Sequence, residues 1–155
     1  MKDFTSISEH MDPEEMDNLM SGIFSGFESV VKNYGGEVEK YIGDALVAVF
    51  GYPIIHEDDA ARACNAALDF LEEVRKTNEG LAERESRIDF RIGINTGLIT
   101  TGKRGDFEVV TGNTMNMASR LQDSAAPGQI LVSQSTNEKC ESLILTALCS
   151  TPDKR

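Results

Sequence analysis

The sequence predicts an α+β sandwich in which antiparallel hairpins alternate with helices. Three observations carry this expectation. Apolar residues recur at three- and four-residue steps in two long stretches, as in helices with one buried face. A β-branched and aromatic segment is interrupted by Gly43-Asp44, a pair suited to a tight hairpin turn. Ile88, Phe90, Ile92 and Ile94 alternate with Asp89, Arg91, Gly93 and Asn95, the period of a strand with one buried face.

The first helix begins after Asp12 and places Met16, Leu19, Met20, Ile23, Phe24, Phe27, Val30 and Val31 on one face. Asp12 is the expected N-cap, Pro13 suits the first helical position, Glu15 completes the start signal, and Gly35-Gly36 supplies the stop. Residues 37–50 form two antiparallel strands. A second long helix follows, with Ala60, Ala63, Cys64, Ala67, Leu68, Leu71 and Val74 on its buried face. The acidic run Glu57-Asp58-Asp59 precedes it, where negative charge complements a helix N-terminus. After the alternating strand, Gly97 and Gly102 permit sharp changes of direction. Residues 107–111 read as a strand, 113–122 as a short helix, and 130–133 as a strand after the Pro127-Gly128 turn; Ser135 with Glu138 can cap a further helix.

A length of 155 residues fits one domain with one core, spanning residues 1–155. With 40% hydrophobic and 26% charged residues, neither a disordered chain nor a disulfide scaffold is expected. The longest apolar run, residues 45–50, is too short to cross a bilayer, so no membrane contact is expected within this segment. The first residues lack signal-peptide organisation, and Cys64, Cys140 and Cys149 cannot all pair within the chain, which favours a cytoplasmic setting. Cys64 reads as a core residue. His10 and His56 are isolated, so a zinc site is not expected. A net charge of -11 argues against broad binding to nucleic acid, while leaving room for a small polyphosphate arriving with magnesium. Neither a dinucleotide-binding G-x-G-x-x-G nor a P-loop is present, and neither histidine has a nucleophile context.

Four side chains remain as candidates for chemistry. Asp44, at the hairpin tip, is either a turn former or a carboxylate offered to magnesium. Lys40, placed by even spacing on one face with Val38 and Ile42, either snorkels to solvent or presents its ammonium to an acceptor on a base. Asn116 and Arg120, four residues apart on the short helix, share a face and can reach one ligand. Taken alone, that pair is more readily a solvated Asn beside a surface salt bridge. Met16 and Met20 need only a core explanation.

Read together, Phe4-Thr5-Ser6-Ile7-Ser8-Glu9, Gly35-Gly36, Lys40-Tyr41-Ile42-Gly43-Asp44-Ala45, Arg91-Ile92-Gly93-Ile94-Asn95-Thr96-Gly97 and Gly112-Asn113-Thr114-Met115-Asn116-Met117-Ala118-Ser119-Arg120-Leu121 resemble the class III adenylate and guanylate cyclase catalytic domain. The resemblance runs over residues 1–133. It implies a ferredoxin-like cyclase fold, with an antiparallel-rich sheet flanked by helices, assembled as a head-to-tail homodimer with composite sites. Asp44 would be one of two aspartates holding two Mg2+ (or Mn2+), and Lys40 would read the purine. Asn116 would position the ribose and Arg120 would stabilise the transition state. The implied reaction converts ATP (or GTP) to the 3′,5′-cyclic monophosphate and pyrophosphate, by attack of the nucleotide's own 3′ hydroxyl on its α-phosphate.

The chain departs from the family pattern at four points. The first metal aspartate would precede Met1, and Asp3 occupies the usual glycine position. Val109 stands where adenylate cyclases commonly carry a base-reading Asp or Thr, although a shift by one residue brings Glu108 there. The triphosphate-binding lysine expected near the family's C-terminal end has no secure counterpart in Lys154. Asn113 replaces an aspartate frequent in bacterial members. The domain is thus expected to be incomplete at its first strand and its C-terminal end. Lys40, where guanylate cyclases carry Glu, favours ATP. Sensor domains are expected in a longer parent chain, either cytoplasmic or on the cytoplasmic face of a membrane-anchored protein. The alternative is a non-catalytic cyclase-homology module that binds nucleotide or a partner subunit. A diguanylate cyclase is disfavoured, because Gly35-Gly36-Glu37-Val38 ends in the wrong residue and precedes the strand.

Overall fold

A computed structural model describes residues 12–80, 87–104 and 107–141. The motif at residues 4–9, together with Asp3, His10, Cys149 and Lys154, lies outside them. The elements run α1 (Pro13–Asn33), β1 (Glu37–Ile42), β2 (Ala45–Val49), α2 (Asp59–Gly80), β3 (Ile92–Ile94), β4 (Thr100–Arg104), β5 (Phe107–Thr111), α3 (Asn113–Ser124), β6 (Ile130–Val132) and α4 (Gln134–Cys140). This is the α+β class expected from the sequence. Among the described residues β1–β2 and β4–β5 pair antiparallel, whereas β3–β6 pair parallel, joined by a crossover that contains α3.

α1 starts and stops where its punctuation directs. The Asp12 carboxylate accepts a hydrogen bond from the Glu14 N–H at 2.9 Å, and Pro13 follows at the first helical position. At the other end Gly35 takes φ 75°, and the Gly36 N–H donates to the Val31 carbonyl at 2.9 Å. The Tyr34 hydroxyl reaches the Asp69 carboxylate at 2.6 Å and so ties this end to α2. At the start of α2, Asp59 accepts from the His56 N–H at 2.7 Å. Asp58 accepts from Arg62 at 2.8 Å, and that bond holds the Asp58 carboxyl below its usual range.

The principal core forms where Met16, Met20, Ile23 and Val30 of α1 meet Ala66, Phe70 and Val74 of α2, with Ile88 and Phe90 beneath them. Phe70 is its centre: its ring stands edge-on to both Phe27 and Phe90, with centroids 5.1 Å away in each case. The sequence pattern omitted Phe70 because α2 is buried on two sides. Ala66, Phe70 and Val74 face α1, while Cys64, Ala67, Leu68 and Leu71 pack with Ile92 and Ile94 of β3 and Ile130 and Val132 of β6. A single stripe cannot describe a helix held between two layers.

Three further expectations are corrected. The alternating segment is a strand only over Ile92–Ile94, although Ile88 and Phe90 are buried as its period demands. Gly102 does not turn the chain but sits within β4, whereas the bend expected at Gly97 is present and Thr114 Oγ1 would lie 2.6 Å from a Cβ there. The cap of α4 is Ser133, whose hydroxyl accepts from the Thr136 N–H at 3.2 Å, and not Ser135.

The end of α2 is locked by one side chain to the segment that leads into β3. Asn78 donates to the Ile88 carbonyl at 2.7 Å and accepts from the Ile88 N–H at 2.8 Å. Asn78→Ala orphans both backbone groups beside the buried Ile88 side chain. It is expected to lower the unfolding free energy by about 1–3 kcal/mol, read as a shifted urea midpoint at unchanged slope.

Candidate active site

Lys40 and Asp44 both belong to the β1–β2 hairpin, whose tip is formed by Gly43 at φ 59° and by Asp44. The ladder steps from Val38 opposite Ala48 directly to Lys40 opposite Val47, so Glu39 is an extra residue in β1. Residues directly opposite one another share a face. Lys40 therefore shares a face with Ile42, as expected, but lies on the opposite face from Val38. The bulge re-aims the lysine in a way that even spacing cannot anticipate. Lys40 and Asp44 are both half-buried. On the other face, the Tyr41 ring lies tilted against that of Phe24 in α1, with centroids 5.6 Å apart, and its hydroxyl bonds the Glu28 carboxylate. That bond pushes the Tyr41 hydroxyl up to about 12, so it stays protonated and holds the hairpin on α1.

Asn116 and Arg120 lie one turn apart on α3, both exposed. The helix follows Gly112, whose φ of 143° lies in a region that L side chains rarely adopt. None of its side chains is buried, so its position is set largely by backbone contacts. A Cβ on Gly93 of β3 would lie 2.1 Å from the Ala118 carbonyl and 2.4 Å from the Gln122 nitrogen. Asn95 donates to the Thr114 carbonyl at 3.0 Å, and the Thr114 hydroxyl donates to the Leu98 carbonyl at 2.6 Å. Arg91 reaches the Asp123 carbonyl at 3.3 Å. Gly93, Asn95 and Thr114 thus seat the helix that carries Asn116 and Arg120. The sequence signals for Gly93 and Asn95 were a glycine inside a strand pattern and a polar residue on its supposedly solvated face.

The chain therefore presents two groups of candidates on different elements. Lys40 and Asp44 sit on a hairpin that packs against α1, and Asn116 and Arg120 sit on a helix that packs against β3 and β6. Val109 lies in β5, opposite Gly102 of β4. Apolar residues border both groups: Tyr41 and Ile42 are 45% and 56% exposed, and Leu98 and Met117 are 94% and 37% exposed. Among the described residues no three His, Cys, Asp or Glu side chains converge as a metal cage. Magnesium retains several waters and binds through one or two carboxylates plus substrate phosphates, so Asp44 is a donor of the right kind for a metal that arrives with a nucleotide.

A family profile described as the adenylate and guanylate cyclase catalytic domain matches residues 1–148. Adenylate cyclase 1 of Rhizobium meliloti is 35% identical over 127 residues, covering 77% of this chain and 19% of that protein. The crystal structure of the adenylyl cyclase CyaB from P. aeruginosa superposes with a TM-score of 0.85 at 26% identity, covering 93% of this chain and 78% of that one. The guanylate cyclase domain of RhGC from Catenaria anguillulae, solved in complex with GTP, gives 0.81 at 30% identity, covering 93% and 79%. The chain spans 13% to 20% of the length of the first curated relatives it matches.

Proposed function

Because the chain belongs to the adenylate and guanylate cyclase catalytic domain family, we propose that its parent protein converts ATP to 3′,5′-cyclic AMP and pyrophosphate at sites shared between two copies. The observation that carries this reading is the seating of Asn116 and Arg120 on one exposed face of α3, clamped to β3 through Gly93 and Asn95. Such a face presents an amide and a planar cation to a ligand without relying on side-chain packing.

Asn116 would hydrogen-bond the ribose and hold its 3′ hydroxyl in line with the α-phosphate. Arg120 would place its guanidinium on the non-bridging phosphate oxygens, where charge develops as pyrophosphate leaves. Lys40 would donate from its ammonium to a ring nitrogen of adenine, and Val109 would line the base pocket. Asp44 would be one of the carboxylates holding two Mg2+ or Mn2+, which would lower the pKa of the attacking hydroxyl and neutralise the leaving group. The exposed Ile42 and Met117 beside the two groups of site residues supply apolar area for a head-to-tail dimer. Sensor domains would lie elsewhere in the longer parent chain, on the cytoplasmic side.

The direct test supplies MgATP or MnATP to the full-length protein and measures cyclic AMP by chromatography. Product well above an Asp44→Ala control is expected; equal product from both proteins would refute the proposal. With GTP in parallel, kcat/KM should favour ATP. Lys40→Ala should lower kcat/KM for ATP about 10- to 100-fold, mostly through KM, because a charge-assisted hydrogen bond to the base is lost in ground and transition states alike.

A further inference from the structure

We propose that Cys64 and Cys140 are a redox-modification site, forming a reversible disulfide between α2 and α4 when the protein meets a peroxide. The two residues are thiols here, with sulfurs 3.7 Å apart although 76 positions separate them in the chain. Their neighbours explain the approach: Ala60 and Ala61 of α2 join Cys140 in one small cluster against which Cys64 packs. Closing the bond requires the sulfurs to move together by less than 2 Å, to about 2.05 Å. Cys140 is the last residue of the seven-residue α4.

The exposures assign the order of events. Cys64 is half-buried and Cys140 is 5% exposed, so a peroxide reaches Cys64 first. The Cys64 thiolate attacks one peroxide oxygen, the O–O bond breaks, and the leaving hydroxide takes a proton to become water; Cys64 is then a sulfenic acid. The Cys140 thiolate attacks the Cys64 sulfur, the S–S bond forms, and the sulfenic hydroxyl leaves as a second water. Two thiols and one hydrogen peroxide thus give one disulfide and two waters, with two electrons passing from sulfur to oxygen. A dithiol reverses the step by exchange.

The bond would act on more than α4. Thr136 of that helix is fully buried, with its hydroxyl 2.8 Å from that of Thr96 and 3.1 Å from that of Ser133. Ser135 donates to the Thr96 carbonyl at 2.8 Å, next to Asn95, which holds α3. A cross-link from α2 to α4 fixes the far end of this hydroxyl chain. The site itself stands on the sulfur geometry and is independent of the reaction proposed above.

The test treats a Cys149→Ser variant, which retains only these two thiols, with hydrogen peroxide and reads its intact mass. A loss of about 2 Da is expected, with a Cys64–Cys140 cross-linked peptide, recovery on adding dithiothreitol, and a melting temperature raised by about 5 °C. The wild-type protein should yield the same peptide. Cys64→Ser in the Cys149→Ser background should show neither the mass loss nor the shift. Unchanged mass, gains of oxygen without the cross-linked peptide, or disulfides only between molecules would each overturn the proposal.

Discussion

Gly93→Ala will lower the stability of the domain by about 3 kcal/mol or more, the top of the range for overpacking a filled interface. The added methyl has no flexible neighbour to displace. It would meet the Ala118 carbonyl oxygen at 2.1 Å, the Gln122 nitrogen at 2.4 Å and the Leu121 Cβ at 3.0 Å, and the first two are backbone atoms of α3. Nor can β3 retreat, since Gly93 pairs with Leu131 of β6, and Ile92 and Ile94 on either side pack against α2. Either α3 lifts from the sheet or the β3–β6 pairing slips. A thermal melt should place the variant about 6–12 °C below the wild type. Any folded remainder should lose cyclase activity beyond the fraction unfolded, because Asn116 and Arg120 ride on the displaced helix. A variant that melts within 1–2 °C of the wild type would show that α3 does not lie this close to β3.

Gly93 also marks the limit of what the sequence revealed. Alternation placed it correctly on the face opposite Ile92 and Ile94, but a period of two does not say whether that face meets water or a helix. Polar Asp89, Arg91 and Asn95 on the same face gave the impression of solvent. In the structure Arg91 and Asn95 use their polarity to bond α3 carbonyls. Local punctuation was more legible: Asp12, Pro13, Gly35 and the Gly43-Asp44 turn act within a few residues of themselves, and each appears where expected. Phe70 and the bulge at Glu39 were not legible, because each depends on a partner distant in sequence or on the opposite strand. For the site, the motifs named Lys40, Asp44, Asn116 and Arg120, whereas the residues that seat α3 emerge only once strand and helix are packed together.

Arg120→Ala is expected to reduce kcat by about 100- to 1000-fold while changing KM for ATP only a few-fold, the signature of a group that acts on charge appearing in the transition state. Melting behaviour should be unaltered, since Arg120 is exposed on a helix that buries none of its side chains. The same variant tests whether the site is shared. In a head-to-tail dimer Asp44 of one copy and Arg120 of the other meet at each site, so a heterodimer of Asp44→Ala with Arg120→Ala carries both lesions in one site and none in the second. An equal mixture allowed to exchange subunits should place about half of the protein in heterodimers, each with one intact site of two. Activity should therefore recover to about a quarter of wild type, from two proteins that are each nearly inactive. If Asp44 and Arg120 instead served one site within a single copy, every site in the mixture would retain a lesion, and mixing would recover nothing. The placement of the two groups on separate elements favours recovery: the hairpin is held by α1 through Tyr41, while α3 is held by β3, and exposed Ile42 and Met117 flank the surfaces to be joined.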